Sequence, residues 1–342
     1  MGLPRQRTFP KPWQTIFLLF VGTFIVKTLV TLPCWELDSA LGSLNHVDWS
    51  RFAYVQYATS TSHICNSLMI FESLDRLQAK ADRVMIYPVE YSLEDSDNRA
   101  AGHLLRKARD QYNVQLVPAE IQSRASGDGM DSASFLCFRR EVANPDTSRS
   151  NLGQQLYQAT GFQSNTHMDE LFLMQPCPVA MPLAYWRSAN DSFMTSALML
   201  VTPSTSEFGR VMNATQRSDE TIYDMEIMNN LYQDRALVIP HNPYILLTGE
   251  FRSSDHANYL GEGNNNWNPD DVLQKAKYLH FSDWPVPKPA NEPSDHILQE
   301  KQPSCHSNPI TGELDDCRDR DRWLEFYADY SRRREKICGL DV

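Results

Sequence analysis

No Cys-x-x-Cys pair occurs anywhere in this chain, although it has seven cysteines. That spacing is the usual mark of small zinc sites, and its absence argues against one. Positive charge is also in short supply. Lys and Arg number 32 against 43 Asp and Glu, for a net charge of −11, whereas a general nucleic-acid binder needs a basic patch or stripe. An acidic surface by itself does no more than keep a protein dispersed. It leaves room for an enzyme that holds an anionic nucleotide at one local site. Only one segment is apolar and long enough to span a bilayer, which excludes a multi-span transporter. The chain shows no internal repeats.

The odd cysteine count leaves at least one thiol unpaired in an oxidising compartment. Cys305, Cys317 and Cys338 crowd the polar carboxyl end. They form a disulfide among themselves if that end is lumenal, and are three free thiols if it is not.

The single apolar run is Thr15–Leu32, TIFLLFVGTFIVKTLVTL. As a helix at ~1.5 Å per residue it covers ~27 Å, close to the hydrocarbon thickness of a bilayer. Lys27, near its end, can snorkel to the interface. Arg5, Arg7 and Lys11 precede the run, and Glu36, Asp38 and Asp48 follow it. That asymmetry expects a cytoplasmic amino terminus and a lumenal remainder. Trp13 and Trp35 flank the run as interface-seeking indoles do. The competing reading, a cleaved signal peptide, has a shorter apolar core of ~7–15 residues. Two sequons, at Asn190 and Asn213, are acceptors for glycans in a lumenal domain.

Beyond the anchor, Arg51–Tyr57 (RFAYVQY), Arg83–Tyr87 (RVMIY) and Val114–Pro118 (VQLVP) read as strands. Between them, Ile64–Leu77 places apolar residues at helical spacing and His103–Tyr112 is a charged helix. Strand, helix, strand, helix, strand is the pattern of a parallel α/β sheet. Ligands bind such sheets beyond the carboxyl ends of the strands, here in the loop 58–63. Residues 123–165 break the pattern and show no convincing apolar strand. Order returns with strands at Pro178–Pro182, Ala197–Val201 and Ala236–Ile239, and helices at Glu207–Asn213 and Asp224–Tyr232. Asn264–Asp271 and Pro285–Pro303 read as loops. Asp321–Lys336 reads as a terminal helix with a solvated charged face.

Six blocks carry a resemblance: RFAYVQYATSTSHICNSLMIFESL, MDELFLMQPCPVAMPLAYW, DMEIMNNLY, IPHNPYILLTGEF, KYLHFSDWPVPKP and CRDRDRWLEFYADYSRRREKICG. Together, in this order across Arg51–Gly339, they resemble family 8 glycosyltransferases, the glycogenin-like enzymes, and within them the fungal glucose N-acetyltransferase group. The resemblance implies an α/β nucleotide-diphospho-sugar transferase (GT-A type) fold, a mostly parallel sheet flanked by helices, behind an amino-terminal transmembrane helix. The implied organisation is a cytoplasmic tail (1–14), an anchor (15–32), a stem (33–50), a glycosyltransferase domain (51–290) and a carboxyl-terminal extension (291–342).

The resemblance further implies a retaining Golgi enzyme that moves a sugar, GlcNAc from UDP-GlcNAc, to a glycan acceptor. A divalent cation, typically Mn²⁺, and a lysine neutralise the diphosphate leaving group in such enzymes. The relatives' late His-Phe and Lys-Pro pairs match His280-Phe281 and Lys288-Pro289, with two more intervening residues than in glycogenin. By similarity His280 ligates the metal and Lys288 binds the diphosphate. The bland readings are a core histidine and a solvated lysine. Asp224 resembles the aspartate of the relatives' D-Q-G-I-L-N segment, near the transferred sugar; it is equally suited to cap a helix. Thr59 and His63 lie in the nucleotide-facing loop, His63 where relatives often have a base-stacking tyrosine.

One family feature is out of place. Relatives carry Asp-x-Asp, hard oxygen ligands for the metal, at the end of a strand shortly before the MDELF block. Here LGQQLYQATGFQSNTH precedes MDELF, and no Asp lies between Asp146 and Asp169. The Asp-Ser-Asp at Asp95–Asp97 follows no apolar strand, and Asp319-Arg320-Asp321 is flanked by arginines. Three explanations stand: a misread segment over 123–165, which is favoured; a divergent, catalytically impaired or non-catalytic relative that binds glycan or nucleotide; or a substitute ligand, Asp146 or Asp169 being nearest.

Overall fold

The computed structural model describes residues 47–91, 93, 99–120, 155–158, 166–187, 191–218, 222–261, 266–307 and 312–339. All of these from Asp48 onward belong to one compact unit, Asp48–Val342. The expected anchor at 15–32, Asp95–Asp97, Asp146 and Asn190 lie outside the described residues. Among the described residues no helix is long and apolar enough to cross a membrane.

The first half follows the expected alternation. Strand β1 (Ala53–Tyr57) is rich in aromatic and branched residues and is buried on both faces, as a central parallel strand must be. Ser60 then caps helix α1 (Thr61–Arg76), its hydroxyl accepting from the His63 amide at 3.2 Å. Ile64, Leu68, Phe71 and Leu74 recur at helical spacing and form the buried face. Strand β2 (Asp82–Pro88) ends at a proline that cannot donate to the ladder. Helix α2 (Arg99–Tyr112) ends at Asn113, whose φ of 51° turns the chain into strand β3 (Val114–Ala119). Asparagine tolerates this left-handed backbone better than most residues.

Residues 123–165 hold a strand that the sequence reading lacked. Strand β4 (Gln155–Gln158, QLYQ) pairs parallel with β1, Gln155 opposite Ala53 and Tyr157 opposite Val55. Its other edge pairs antiparallel with strand β6 (Leu198–Val201). A four-residue strand with glutamine at each end carries too little apolar pattern to be read alone. Both flanking strands supply the ladder that defines it. Strands β5 (Val179–Pro182) and β7 (Leu237–Ile239) complete a sheet of order β3-β2-β1-β4-β6-β5-β7. Only β6 runs against the others. The α/β, mostly parallel sheet expected from the sequence is present. A separate parallel pair joins β8 (Leu246–Leu247) and β9 (Leu279–His280).

Helices α3 (Thr205–Arg217) and α4 (Asp224–Tyr232) follow β6. Two segments expected to be loops contain helices: α5 (Pro269–Lys275) and α6 (Asp295–Lys301). Each begins on a side-chain cap, Asn268 and Ser294, accepting from amides of the first turn. The surrounding prolines obscured those caps in the sequence.

The terminal helix α7 (Arg318–Cys338) corrects a second expectation, since it is no mere solvated face. Trp323, Phe326, Tyr327 and Tyr330 are buried. Tyr330 donates to Asn66 on α1 at 2.5 Å, Arg333 reaches Glu72 at 2.7 Å, and Cys338 forms a disulfide with Cys65. Cys305 pairs with Cys317. One disulfide therefore joins two of the crowded cysteines, and the third is taken by a partner 273 residues away.

Candidate active site

Because β1, β2, β3 and β4 are parallel, their carboxyl ends share one edge, and β1 delivers Tyr57 there. Tyr57 is near enough to the Asp224 carboxylate, at the start of α4, for that negative charge to add to burial in pushing the phenol up. Asp224 is held above the ordinary carboxylate range by burial, offset in part by the Ser196 hydroxyl and nearby backbone amides. Ser196 donates to it at 2.6 Å. Of the two readings of Asp224, the helix cap falls to Tyr223, and Asp224 is the first helical residue.

Asn229, one turn further along α4, fixes this pair from behind. Its side-chain carbonyl accepts from the Met194 amide at 2.8 Å, and its NH₂ donates to the carbonyls of Met194 (2.8 Å) and Met225 (2.7 Å). The loop bearing Ser196 is thus clipped to the helix bearing Asp224.

The late block arrives from the other side. Tyr278 is buried and feels Tyr57, which joins the two groups electrostatically. Its hydroxyl lies 3.5 Å from His280 Nδ1, at the edge of hydrogen-bonding range. His280 is pushed down to about 3, first by burial and then by the charge of Lys288. Its imidazole is neutral at physiological pH, the form that can ligate a metal. The positive charge of Lys288, felt at His280, disfavours a second cation there unless an anion accompanies it.

The loop after β9 is anchored below. Asp283 is buried and accepts from Trp323 Nε1 (2.8 Å), the Tyr327 hydroxyl (3.0 Å) and Thr248. Gly249 lies so close that a Cβ there would stand 2.5 Å from the Ser282 carbonyl oxygen. The glycine is required by that approach rather than by its backbone angles.

Of the residues singled out from the sequence, Asp224, His280 and Lys288 are brought into one chain of interactions through Tyr57 and Tyr278. Thr59 and His63 follow Tyr57 directly and bind each other, Oγ1 to Nδ1 at 2.6 Å. Tyr57, Ser196, Tyr278 and Asn229 were missed. Only Tyr57 carried a hint, as the aromatic last residue of a strand.

Asp169 is no substitute metal ligand. It is 3% exposed, with Oδ1 accepting from the Tyr54 hydroxyl (2.8 Å) and Oδ2 from the Lys80 amide (2.9 Å). Those partners lie toward the amino ends of β1 and β2, the wrong edge of the sheet. Among the described residues no three His, Cys, Asp or Glu side chains gather as a metal cage. His280 alone is not a site for Mn²⁺, so the donor set on the described residues does not fit the ion.

A parallel sheet with polar side chains at its carboxyl edge defines an α/β domain of the kind that binds ligands beyond its strand ends. No family model matches the chain. Known sequences do. Glucose N-acetyltransferase 1 of Gibberella zeae is 43% identical over 298 residues, 85% of this chain and 63% of that protein. Glucose N-acetyltransferase 1 of Aspergillus fumigatus is 41% identical over 334 residues, 94% of this chain and 85% of that protein. The chain belongs to the fungal glucose N-acetyltransferase 1 family, a family of glycosyltransferases. It spans under two thirds of the Gibberella relative's length. Among solved structures, the glycosyltransferase GlyE of Streptococcus pneumoniae TIGR4 is 13% identical with a TM-score of 0.47, covering 84% of this chain and 63% of that one. An active-site mutant of LgtC is 9% identical with a TM-score of 0.46, covering 81% of this chain and 95% of that one. At these scores the likeness is loose, and the family rests on the sequence relatives.

Proposed function

We propose that this chain is a retaining glycosyltransferase of GT-A type that moves GlcNAc from UDP-GlcNAc to a glycan acceptor. The observation that carries the reading is Tyr57 at the carboxyl end of β1, coupled on one side to Asp224, which Ser196 holds at 2.6 Å, and on the other to Tyr278, whose hydroxyl lies 3.5 Å from His280 Nδ1. In this reading Lys288 neutralises the charge that grows on the departing diphosphate. Asp224, fixed by Ser196, accepts from hydroxyls of the transferred sugar. Thr59 and His63 line the nucleotide end. An anion beside Lys288 is what its positive charge favours.

A divalent cation such as Mn²⁺ supplies Lewis-acid neutralisation of a diphosphate when bound. The described residues offer it a single imidazole, His280, too few donors to hold it. Two disulfides, Cys65–Cys338 and Cys305–Cys317, favour an oxidising compartment. In this reading the enzyme is lumenal, in the Golgi, and a single-pass protein anchored by residues 15–32.

A second reading has its own observation. Strand β4 occupies the place between β1 and β6, yet no Asp follows it before Asp169. A non-catalytic glycan- or nucleotide-binding relative would look like this, as would a chain misread over 123–165. The test is binding and turnover of UDP-GlcNAc by the full chain, with and without Mn²⁺, against UDP-glucose and UDP-galactose. Release of UDP with UDP-GlcNAc preferred is the expected result. A folded chain that turns over no nucleotide sugar overturns the enzyme in favour of the second reading. Sequencing the transcript across the codons for 123–165 separates a misread segment from a real loss.

A further inference from the structure

Two large aromatic side chains stand in solvent on segments that carry residues of this cluster. Trp284 is 91% exposed and Tyr223 is 53% exposed. By contrast, Trp323 is fully buried and Trp267 packs flat on His256 at 3.9 Å.

Trp284 is not exposed because its loop is slack. On one side, Asp283 is buried under three side-chain hydrogen bonds. The Asp283 carbonyl also accepts from Arg252 Nη1 and from the Val286 amide, both at 2.9 Å. On the other side, Val286 and Pro289 are buried. The backbone is fixed at both ends of a short turn, and the indole is held out from it. That turn connects His280 to Lys288. Tyr223 is framed in a similar way: its amide donates to Glu226 Oε2 at 3.1 Å, and the next residue is Asp224. Each exposed ring therefore sits on a segment that carries residues of the cluster, Tyr223 next to Asp224 and Trp284 between His280 and Lys288.

A rigid ring facing water suits some ligands and not others. A protein partner needs about 800 Å² of contiguous surface on each side, and the turn adds only Pro285 and Pro287 to the exposed apolar surface of Trp284, a patch of a few side chains. A pyranose needs far less. Its flat face of C–H groups covers one ring while its hydroxyls stay in water, and a stiff aromatic presents that ring at little entropic cost. We propose that Trp284, with Tyr223 as a second platform, binds a pyranose ring of the acceptor glycan by stacking. This assignment rests on the glycosyl-transfer reading of the neighbouring cluster.

The test is titration of the full chain with mannotriose, chitotriose and maltotriose, followed by saturation-transfer NMR and needing no turnover. At least one saccharide binds the wild type. Trp284→Ala weakens it about tenfold or more, Trp284→Phe recovers part of the loss, and Tyr223→Ala has a smaller effect. With an exposed ring removed, the thermal melt of Trp284→Ala stays that of the wild type. Where turnover is available, the substitution raises the acceptor KM more than it lowers kcat. Unchanged saccharide binding in Trp284→Ala, or no binding of any of the three by the wild type, overturns the proposal. So does loss of binding to phosphatidylcholine–phosphatidylserine vesicles with saccharide binding intact, which would make Trp284 a membrane contact. Donor hydrolysis by the wild type reports on the transfer reading separately, so the two can fail independently.

Discussion

Asp224 has lost most of its water, and burial outweighs the Ser196 hydroxyl in setting its proton affinity. A carboxyl raised in the folded chain makes folding prefer the protonated form. The stability this contributes is complete below the unfolded value, about pH 4, and is lost as pH rises through the folded value. Asp224→Asn keeps an oxygen to accept from Ser196 but removes the buried charge. The expected outcome is a variant more stable than the wild type at pH 7–8, with the difference closing near pH 4, as urea titrations across that range would read. If Asp224 serves the transferred sugar, the same variant loses about 100-fold in kcat. A variant less stable at pH 8 than at pH 4, relative to the wild type, contradicts the assigned cause.

At the scale of elements, α7 closes one side of the fold. Its aromatic side pairs Phe326 with Phe251 at 4.9 Å and tucks Trp323 beneath the β9 loop, where its indole N–H holds Asp283. Trp323→Ala removes a fully buried indole and one of the donors to a buried carboxylate. Losses of this kind cost about 3–5 kcal/mol. Chemical denaturation measures that cost, and a loss below about 1 kcal/mol would show that α7 is dispensable to the core. Since Asp283 fixes the turn bearing Trp284, the variant also loosens the ground beneath Lys288.

For the whole molecule, the two disulfides differ most in the loop each closes. Cys65–Cys338 spans 273 residues and Cys305–Cys317 spans 12. In the chain-entropy picture the longer loop constrains the unfolded chain by about 3 kcal/mol more. Cys65→Ser with Cys338→Ser is therefore expected to lower the denaturation midpoint well beyond Cys305→Ser with Cys317→Ser. Equal shifts would place the stabilisation in local contacts instead. The long bridge also ties the end of α7 to α1, the helix that follows the nucleotide-facing loop.

Much of this was set by local pattern. The aromatic and branched run ending at Tyr57, the helical spacing of Ile64, Leu68, Phe71 and Leu74, and the Pro88 stop each act within a few residues, so the sequence by itself determined the β1-α1-β2-α2-β3 half and the kinship of the chain. It also marked Asp224, His280 and Lys288 as candidates. Strand β4 was not legible, because QLYQ is a strand only where β1 and β6 offer ladders on both sides. The same holds for Asp169. In the sequence it stands near the missing carboxylates; in the fold, Tyr54 and Lys80 saturate it at the opposite edge of the sheet. Ser196, Asn229 and Tyr278 gave no signal, since a hydroxyl or amide gains its role from the partner that chain folding brings to it. What only the tertiary structure decided is which polar groups meet at the carboxyl edge, because hydrogen bonds and burial act across space between residues far apart in the chain.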